Sequence, residues 1–455
     1  MRPGLLGGVC LLAALAPAAF AETGVSVTIY GNNMALVRDT RVLNLTGGRQ
    51  TIEFKNVSAK IRPETVSLKA ADVSILEQNF DYDLLSPGKM MEKAVGHTVT
   101  IVRINPANGV ETREQALVLA TNGGVVLRIG DHIEVLRDDG LPTRVIFDKV
   151  PDNLRASPTL SVSVDAKAGQ REGTLSYLTP GLGWRADYVA LFDENTSAID
   201  VQGWVTLTNN SGVSYDSANT LLVAGQPRLQ DAADDSGGPA NGGMVEAGTQ
   251  SGTRERLGDF YLYPLTARTT IANQQTKQVS FMDVRGAPAR HGYEYRLNWM
   301  QTIEEPQSFA SVYSFNNGSG GGLGDQLPAG IVRFYIRDKQ GAPQFIGESP
   351  IGHTPMGSEL SLGTGDAFDV KIKSTVTSRT RINEFRWKTA MSYTVSNALP
   401  KPIKATLIQD GLWGDTRIVS ESQESNRRNA DAVEWAVDVP ANGKTVLTAV
   451  FDTKY

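Results

Sequence analysis

The residues best suited to acid–base work fall in one stretch of the chain. Glu348 and His353 occur in Gly347-Glu-Ser-Pro-Ile-Gly-His353-Thr-Pro355, with Asp338, Asp366 and Asp369 close by in sequence. A carboxylate beside an imidazole can relay a proton or help to hold a metal. The same stretch has a structural alternative. Pro350 and Pro355 with Gly347, Gly352 and Gly357 describe a turn-rich link between strands, in which a histidine caps the turn. The chain has four histidines, and His97, His132 and His291 are scattered far from His353. No HExxH, no histidine pair at ligand spacing and no EF-hand loop occurs, so no metal or cofactor is expected. No serine stands in a G-x-S-x-G frame. The glycines of 318–324 match neither a Walker loop nor G-x-G-x-x-G. Arg268, Arg333 and Arg337 read as ion pairs or solvated strand edges.

A second candidate is aromatic. Trp184 and Tyr188 follow a bend made by Pro180, Gly181 and Gly183. They could form a stacking platform for a sugar or peptide. With Trp204 in the next strand, they could equally fill the core of a sandwich.

The elements that must position these side chains are strands. Val25 to Tyr30, Gln50 to Phe54, Thr98 to Ile104, Ala116 to Ala120 and Val125 to Ile129 are short runs of β-branched or alternating residues between Gly and Asn turns. The best helical segment, Lys89 to Val95 after Pro87-Gly88, is short. The pattern predicts an all-β protein of several β-sandwich units. The expected divisions are an N-terminal β unit over 22–92, a small β-barrel-like insertion over 93–150 and a central β unit over 151–375. An immunoglobulin-like sandwich over 376–455 completes the chain. Two glycine-rich stretches, 231–256 and 316–324, lack the apolar residues to offset ordering and are expected to be mobile loops.

The chain starts Met1-Arg2-Pro3, runs apolar from Leu5 to Ala16, and reaches Ala19-Phe20-Ala21 before Glu22. This is the pattern of a secretory leader cleaved after Ala21. Cleavage there would remove the one cysteine, Cys10. The mature fold would then have no disulfide or thiolate site and would depend on apolar burial alone. No later run approaches the roughly 20 apolar residues of a membrane helix. A formal net charge of −5 with interspersed signs argues against nucleic acid as a partner.

Longer segments carry a family resemblance. Leu175-Ser-Tyr-Leu-Thr-Pro-Gly-Leu-Gly-Trp184-Arg-Ala-Asp-Tyr188, Gly203-Trp204-Val-Thr-Leu-Thr-Asn209 and Thr269-Thr-Ile-Ala-Asn273 are among them, with Leu327-Pro-Ala-Gly-Ile-Val-Arg333 and Phe345 to His353. Together they resemble the bacterial secreted-protein family of the domain of unknown function 4139. The mucoidy inhibitor A proteins are its more distant relatives. Ser157 departs from the pattern, where a basic residue precedes Pro158. The resemblance implies export and an all-β fold, and carries no assigned activity or catalytic residues.

Two functions therefore stand as expectations. One is a periplasmic or otherwise exported, non-catalytic envelope protein that binds glycan, peptide or protein, with a weak link to surface polysaccharide. The other is a periplasmic hydrolase with Glu348, His353 and Asp366 or Asp369 brought together from distant strands. An outer-membrane barrel fits poorly, because the strands are short, uneven and carry Lys and Arg on both faces.

Overall fold

The computed structural model describes residues 24–81, 84–136, 143–151, 154–225, 227, 244–247, 249–250 and 254–454. The expected leader and much of the 231–256 stretch lie outside them. The fold is all-β, with 67% strand and 3% helix.

The first unit is a sandwich. One sheet orders Arg256–Leu257, Phe260–Pro264, Tyr215–Ala224, Gly24–Tyr30, Met34–Leu45, Gly169–Pro180 and Ser67–Ala70; Thr269–Ile271 also pairs with Tyr215–Ala224. The other orders Gly48–Lys55, Thr159–Ala166 and Val73–Asp81. Alternate side chains from both sheets, including Val27, Ile29, Val37, Phe54, Leu160, Val162, Leu175 and Tyr177, close into one core. Successive strand residues point to opposite faces, so alternation in sequence becomes a buried face and a wet face. This unit does not end at residue 92. Gly24–Tyr30 pairs in parallel with Tyr215–Ala224, a partner that alternation cannot name, because parallel strands need a long crossover.

The insertion is a separate body. Thr143–Ile146, Thr98–Ile104, Glu111–Ala120, Val125–Ile129 and His132–Leu136 pair in that order. They enclose their own core of Val99, Ile101, Ala116, Val118 and Leu127. Leu136 and Val145, from the two outer strands, pack on the same core, so the sheet wraps around it. Among the described residues those outer strands are not hydrogen-bonded to each other. The helix Pro87–Lys93 belongs to this body, with Ser86 Oγ accepting from the Lys89 amide and Met91 buried in the core. Leu84 bridges Arg155, so the chain leaves and rejoins the first sandwich at neighbouring points.

The remainder is one sheet system of 14 strands. The strands Gln275–Leu297 and Glu359–Asn383 are 23 and 25 residues long, enough for each to serve two cores. Upstream they bound a central core of Tyr188, Phe192, Tyr313, Phe334 and Leu360. Further on, Leu297, Val370 and Ile372 join Tyr393, Leu407, Trp435 and Phe451 in the core of the C-terminal sandwich. The expected division at 375/376 is therefore not a boundary, since Glu359–Asn383 runs through it unbroken. The 316–324 stretch is not loose either. Asn317 and Leu323 are buried, the Leu323 amide donates to Asn316 O, and Asn317 Nδ2 donates to Pro355 O.

Candidate functional site

The acid–base candidates are divided between two sides of one sheet. Glu348 lies in the edge strand Pro343–Ile351, opposite Arg333 of Gly330–Arg337. Its carboxylate is 3.3 Å from Arg333 Nε. Arg333 also donates to Asp187 Oδ1 at 3.0 Å, and Thr206 Oγ1 donates to Asp187 Oδ2 at 2.8 Å. Arg185 pairs with the same carboxylate at 3.3 Å. Burial pushes the Asp187 carboxyl up, but the bonds from Arg333 and Thr206 and the Arg185 charge outweigh it, so its pKa lies below the usual range. Glu348 thus ends a charged ladder across the sheet. Arg333 plays the ion-pairing part expected of it, while Arg268 and Arg337 donate to the carbonyls of Ser217 and Gly341.

His353 sits just beyond that strand, in the link to Glu359–Asn383. Its Nδ1 accepts from the Ala329 amide at 3.2 Å, and burial lowers its pKa. The bond reaches across to the segment before Gly330–Arg337 instead of capping the turn around His353 itself, and it occupies one of the two ring nitrogens. Asp338 is likewise a turn residue: it accepts from Gln344 Nε2 and the amides of Gln340 and Ala342, which hold its pKa low.

Trp184 and Tyr188 do not form a platform. Tyr188 is buried, donates to Pro328 O at 2.8 Å and meets Phe281 edge-on. Trp184 packs between the first and central cores, beside Tyr263. Strand Leu182–Asp193 feeds both cores, so its large rings fill the seam.

Asp366 and Asp369 are placed elsewhere, at a cavity of about 280 Å³ where the central core gives way to the C-terminal one. Adjacent strands supply its walls. Gln275–Leu297 brings His291 and Tyr293, which face Tyr313 and Ser311 across Ile303–Asn316. Glu359–Asn383 follows, setting Asp366 opposite Ala310 and Gly365 opposite Ser311. Glu194 reaches in from the turn after Leu182–Asp193, and Ile336 and Ile346 close one side. Ile336 shares the inward face with Phe334, whereas Arg333 and Glu348 point the other way. Glu348 and His353 do not line this cavity.

Packed rings build the wall. His291 stacks on Tyr313 with centroids 4.8 Å apart, Tyr313 stacks on Phe334 at 5.3 Å, and Phe192 meets Tyr313 edge-on at 5.0 Å. Phe368, at the mouth, is 87% exposed. His291 Nε2 is 2.8 Å from Ser311 Oγ. Burial lowers the His291 pKa, against a smaller upward pull from Glu194. The Tyr313 hydroxyl is pushed up to about 12, chiefly by burial and then by Glu194. Burial also raises Tyr293, with Glu194 and Asp369 adding to it. Both tyrosines and the neutral imidazole are therefore uncharged near pH 7. The charge of the cavity comes from Glu194, Asp366 and Asp369. No lysine or arginine lines it, and these carboxylates make no ion pair among the described residues.

Among the described residues, no group of three His, Cys, Asp or Glu is placed to hold a metal. His291, Glu194 and Ser311 were not singled out by their neighbours in sequence. His291, Tyr293 and Tyr295 alternate along Gln275–Leu297, but their order in the chain does not say which strands they face. In comparison with known proteins, no family model matches the chain and no curated protein matches it.

Proposed function

We propose that this chain is an exported envelope protein that binds a partner and carries out no chemistry. The observation that carries the reading is the aromatic-walled cavity whose charged groups are carboxylates without cationic partners. Such a site suits a positively charged group, held by Coulomb attraction; the exposed Phe368 ring already has Lys371 Nζ 5.9 Å from its centroid. A basic side chain of a partner protein or peptide has that chemistry. The leader-like residues 1–21 and the resemblance to secreted proteins of the domain of unknown function 4139 support export, with cleavage after Ala21. The resemblance to mucoidy inhibitors adds a weak link with surface polysaccharide. The test is a calorimetric titration of the purified chain with a lysine-rich peptide and with its acetylated form. Asp366→Asn with Asp369→Asn should weaken binding of the charged peptide by about tenfold, the effect of losing roughly 1.4 kcal/mol. Equal binding of both peptides would remove the reading.

One observation favours a second reading, a hydrolase. Ser311 and His291 are at nucleophile–base distance, and Glu194 lies on the imidazole's side of the cavity. Against it, Ser311 sits within a strand paired on both sides, not on the exposed turn that presents a catalytic serine. Labelling by a fluorophosphonate that disappears in Ser311→Ala would establish the hydrolase in place of the binding protein.

A further inference from the structure

The far end of the C-terminal sandwich gathers Trp299, Trp387 and Trp413, half of the chain's six tryptophans. Near that end the inward face has a buried pair, Thr389 and Phe451, across Arg386–Asn397 and Gly443–Lys454. One pair further out, the same face carries Trp387 and Thr453. Trp299 and Met300, from the loop after Gln275–Leu297, come over it and leave a cavity of about 230 Å³ lined by both tryptophans and Arg379. Trp413 stacks on Trp299, with centroids 5.0 Å apart and rings 25° from parallel, yet stays 59% exposed. An exposed indole is thus stacked on a second one at the mouth of the cavity.

The charge at this ledge has one sign. Across the hairpin Arg379 is paired with Thr389 and Arg381 with Trp387, so both arginines share the face of Trp387. Neither makes an ion pair among the described residues; Arg379 donates to Met300 O, and Arg381 donates to Asn383 O while its guanidinium carbon lies over the Trp387 ring, 5.9 Å from the centroid. The nearby carboxylates Asp415 and Asp452 alternate with Thr416 and Thr453 and so face the other way, where Arg417 and Arg386 hold them. A flat apolar ring face beside guanidinium groups with donors to spare matches a sugar ring that presents C–H bonds on one face and a carboxylate at its edge. An extended peptide would seek an unpaired strand edge, whereas this ledge lies on the face of paired strands.

We propose that the Trp299–Trp413 stack, Trp387, Arg379 and Arg381 form a binding subsite for an acidic saccharide, a pyranose chain carrying carboxylates. The subsite shares with the function proposed above only the binding role, and takes ligands of opposite charge. Calorimetric titration of the purified full chain with a short oligogalacturonate, and with a neutral maltooligosaccharide of the same length, tests it. The uronate should bind about tenfold tighter than the neutral sugar, and added salt should narrow the gap. Trp413→Ala and Arg381→Gln each change an exposed side chain, and each should weaken uronate binding severalfold with an unchanged far-ultraviolet spectrum. Asp366→Asn should leave it intact, which separates this subsite from the acidic cavity. No uronate binding, equal affinity for both sugars, or affinity untouched by Trp413→Ala and Arg381→Gln would overturn the proposal. So would binding to phosphatidylglycerol vesicles, lost on the same substitutions, in the absence of uronate binding.

Discussion

At the level of single residues, the molecule separates charge that is spent from charge that is available. Asp187 is spent: buried, hydrogen-bonded by Thr206 and paired with Arg333 and Arg185. Its folded pKa is depressed, so its contribution to stability is present above the unfolded carboxyl value, near 4, and is lost as pH falls through the lower folded value. Melting of the purified protein below about pH 4 should therefore show a steeper loss of Tm in the wild type than in Asp187→Asn. At neutral pH the variant should be less stable by about 1–3 kcal/mol, reduced by the exposure of both arginines. Equal acid sensitivity would mean that other carboxylates carry the dependence. Glu348 is spent in the same ladder, which is why its place beside His353 in sequence brings no acid–base pair. Glu194, Asp366 and Asp369 remain available because, among the described residues, none of them is ion-paired, although Lys371 lies over the neighbouring Phe368 ring and Lys401 acts on His291.

Among the strands, close backbone approach decides where the cavity wall can stand. Gly347 interrupts the edge strand Pro343–Ile351 at φ +148, at a register shift against Phe334 and Tyr335. A Cβ there would lie 1.9 Å from Thr364 O, a backbone atom of Glu359–Asn383. The absence of a side chain lets the edge strand close over Ile346 and Thr364, both in the cavity wall. Gly347→Ala should cost about 2–4 kcal/mol, read from the denaturant midpoint, because backbone on both sides cannot yield cheaply. Gly352→Ala, five residues on, meets nothing within 4 Å and should change stability by no more than about 0.5 kcal/mol. If both variants behaved alike, the close approach at Gly347 would not govern the strand.

Taken as a whole, the protein is an assembly of cores with unequal independence. The central and C-terminal cores share two long strands and should melt together. The insertion has its own core, including its helix, and its ends meet at the Leu84–Arg155 bridge. Replacing residues 86–150 with a short Gly-Ser linker should leave a folded remainder, because the ends to be joined are already adjacent and the closing loop becomes shorter. Calorimetry should show the main transition moved by only a few degrees. Collapse of that transition would mean that the insertion supports the first sandwich.

The strands, the tight turns and the presence of one short helix could be read from residue order, because pleat alternation and glycine turns act within a few residues of one another. The helix is expected over Lys89 to Val95 and runs over Pro87–Lys93, because the Ser86 cap sets its start. The core alternative for Tyr188 could also be read from residue order. Partner choice could not. Gly24–Tyr30 pairs with a strand nearly two hundred residues away, and alternation only says which face of a strand is buried, not what lies across from it. For the same reason, the histidine that shares a cavity with Asp366 and Asp369 proved to be His291 and not the nearer His353. Strand register, set by packing over the whole fold, brings those side chains together, and nothing in their local spacing encodes it.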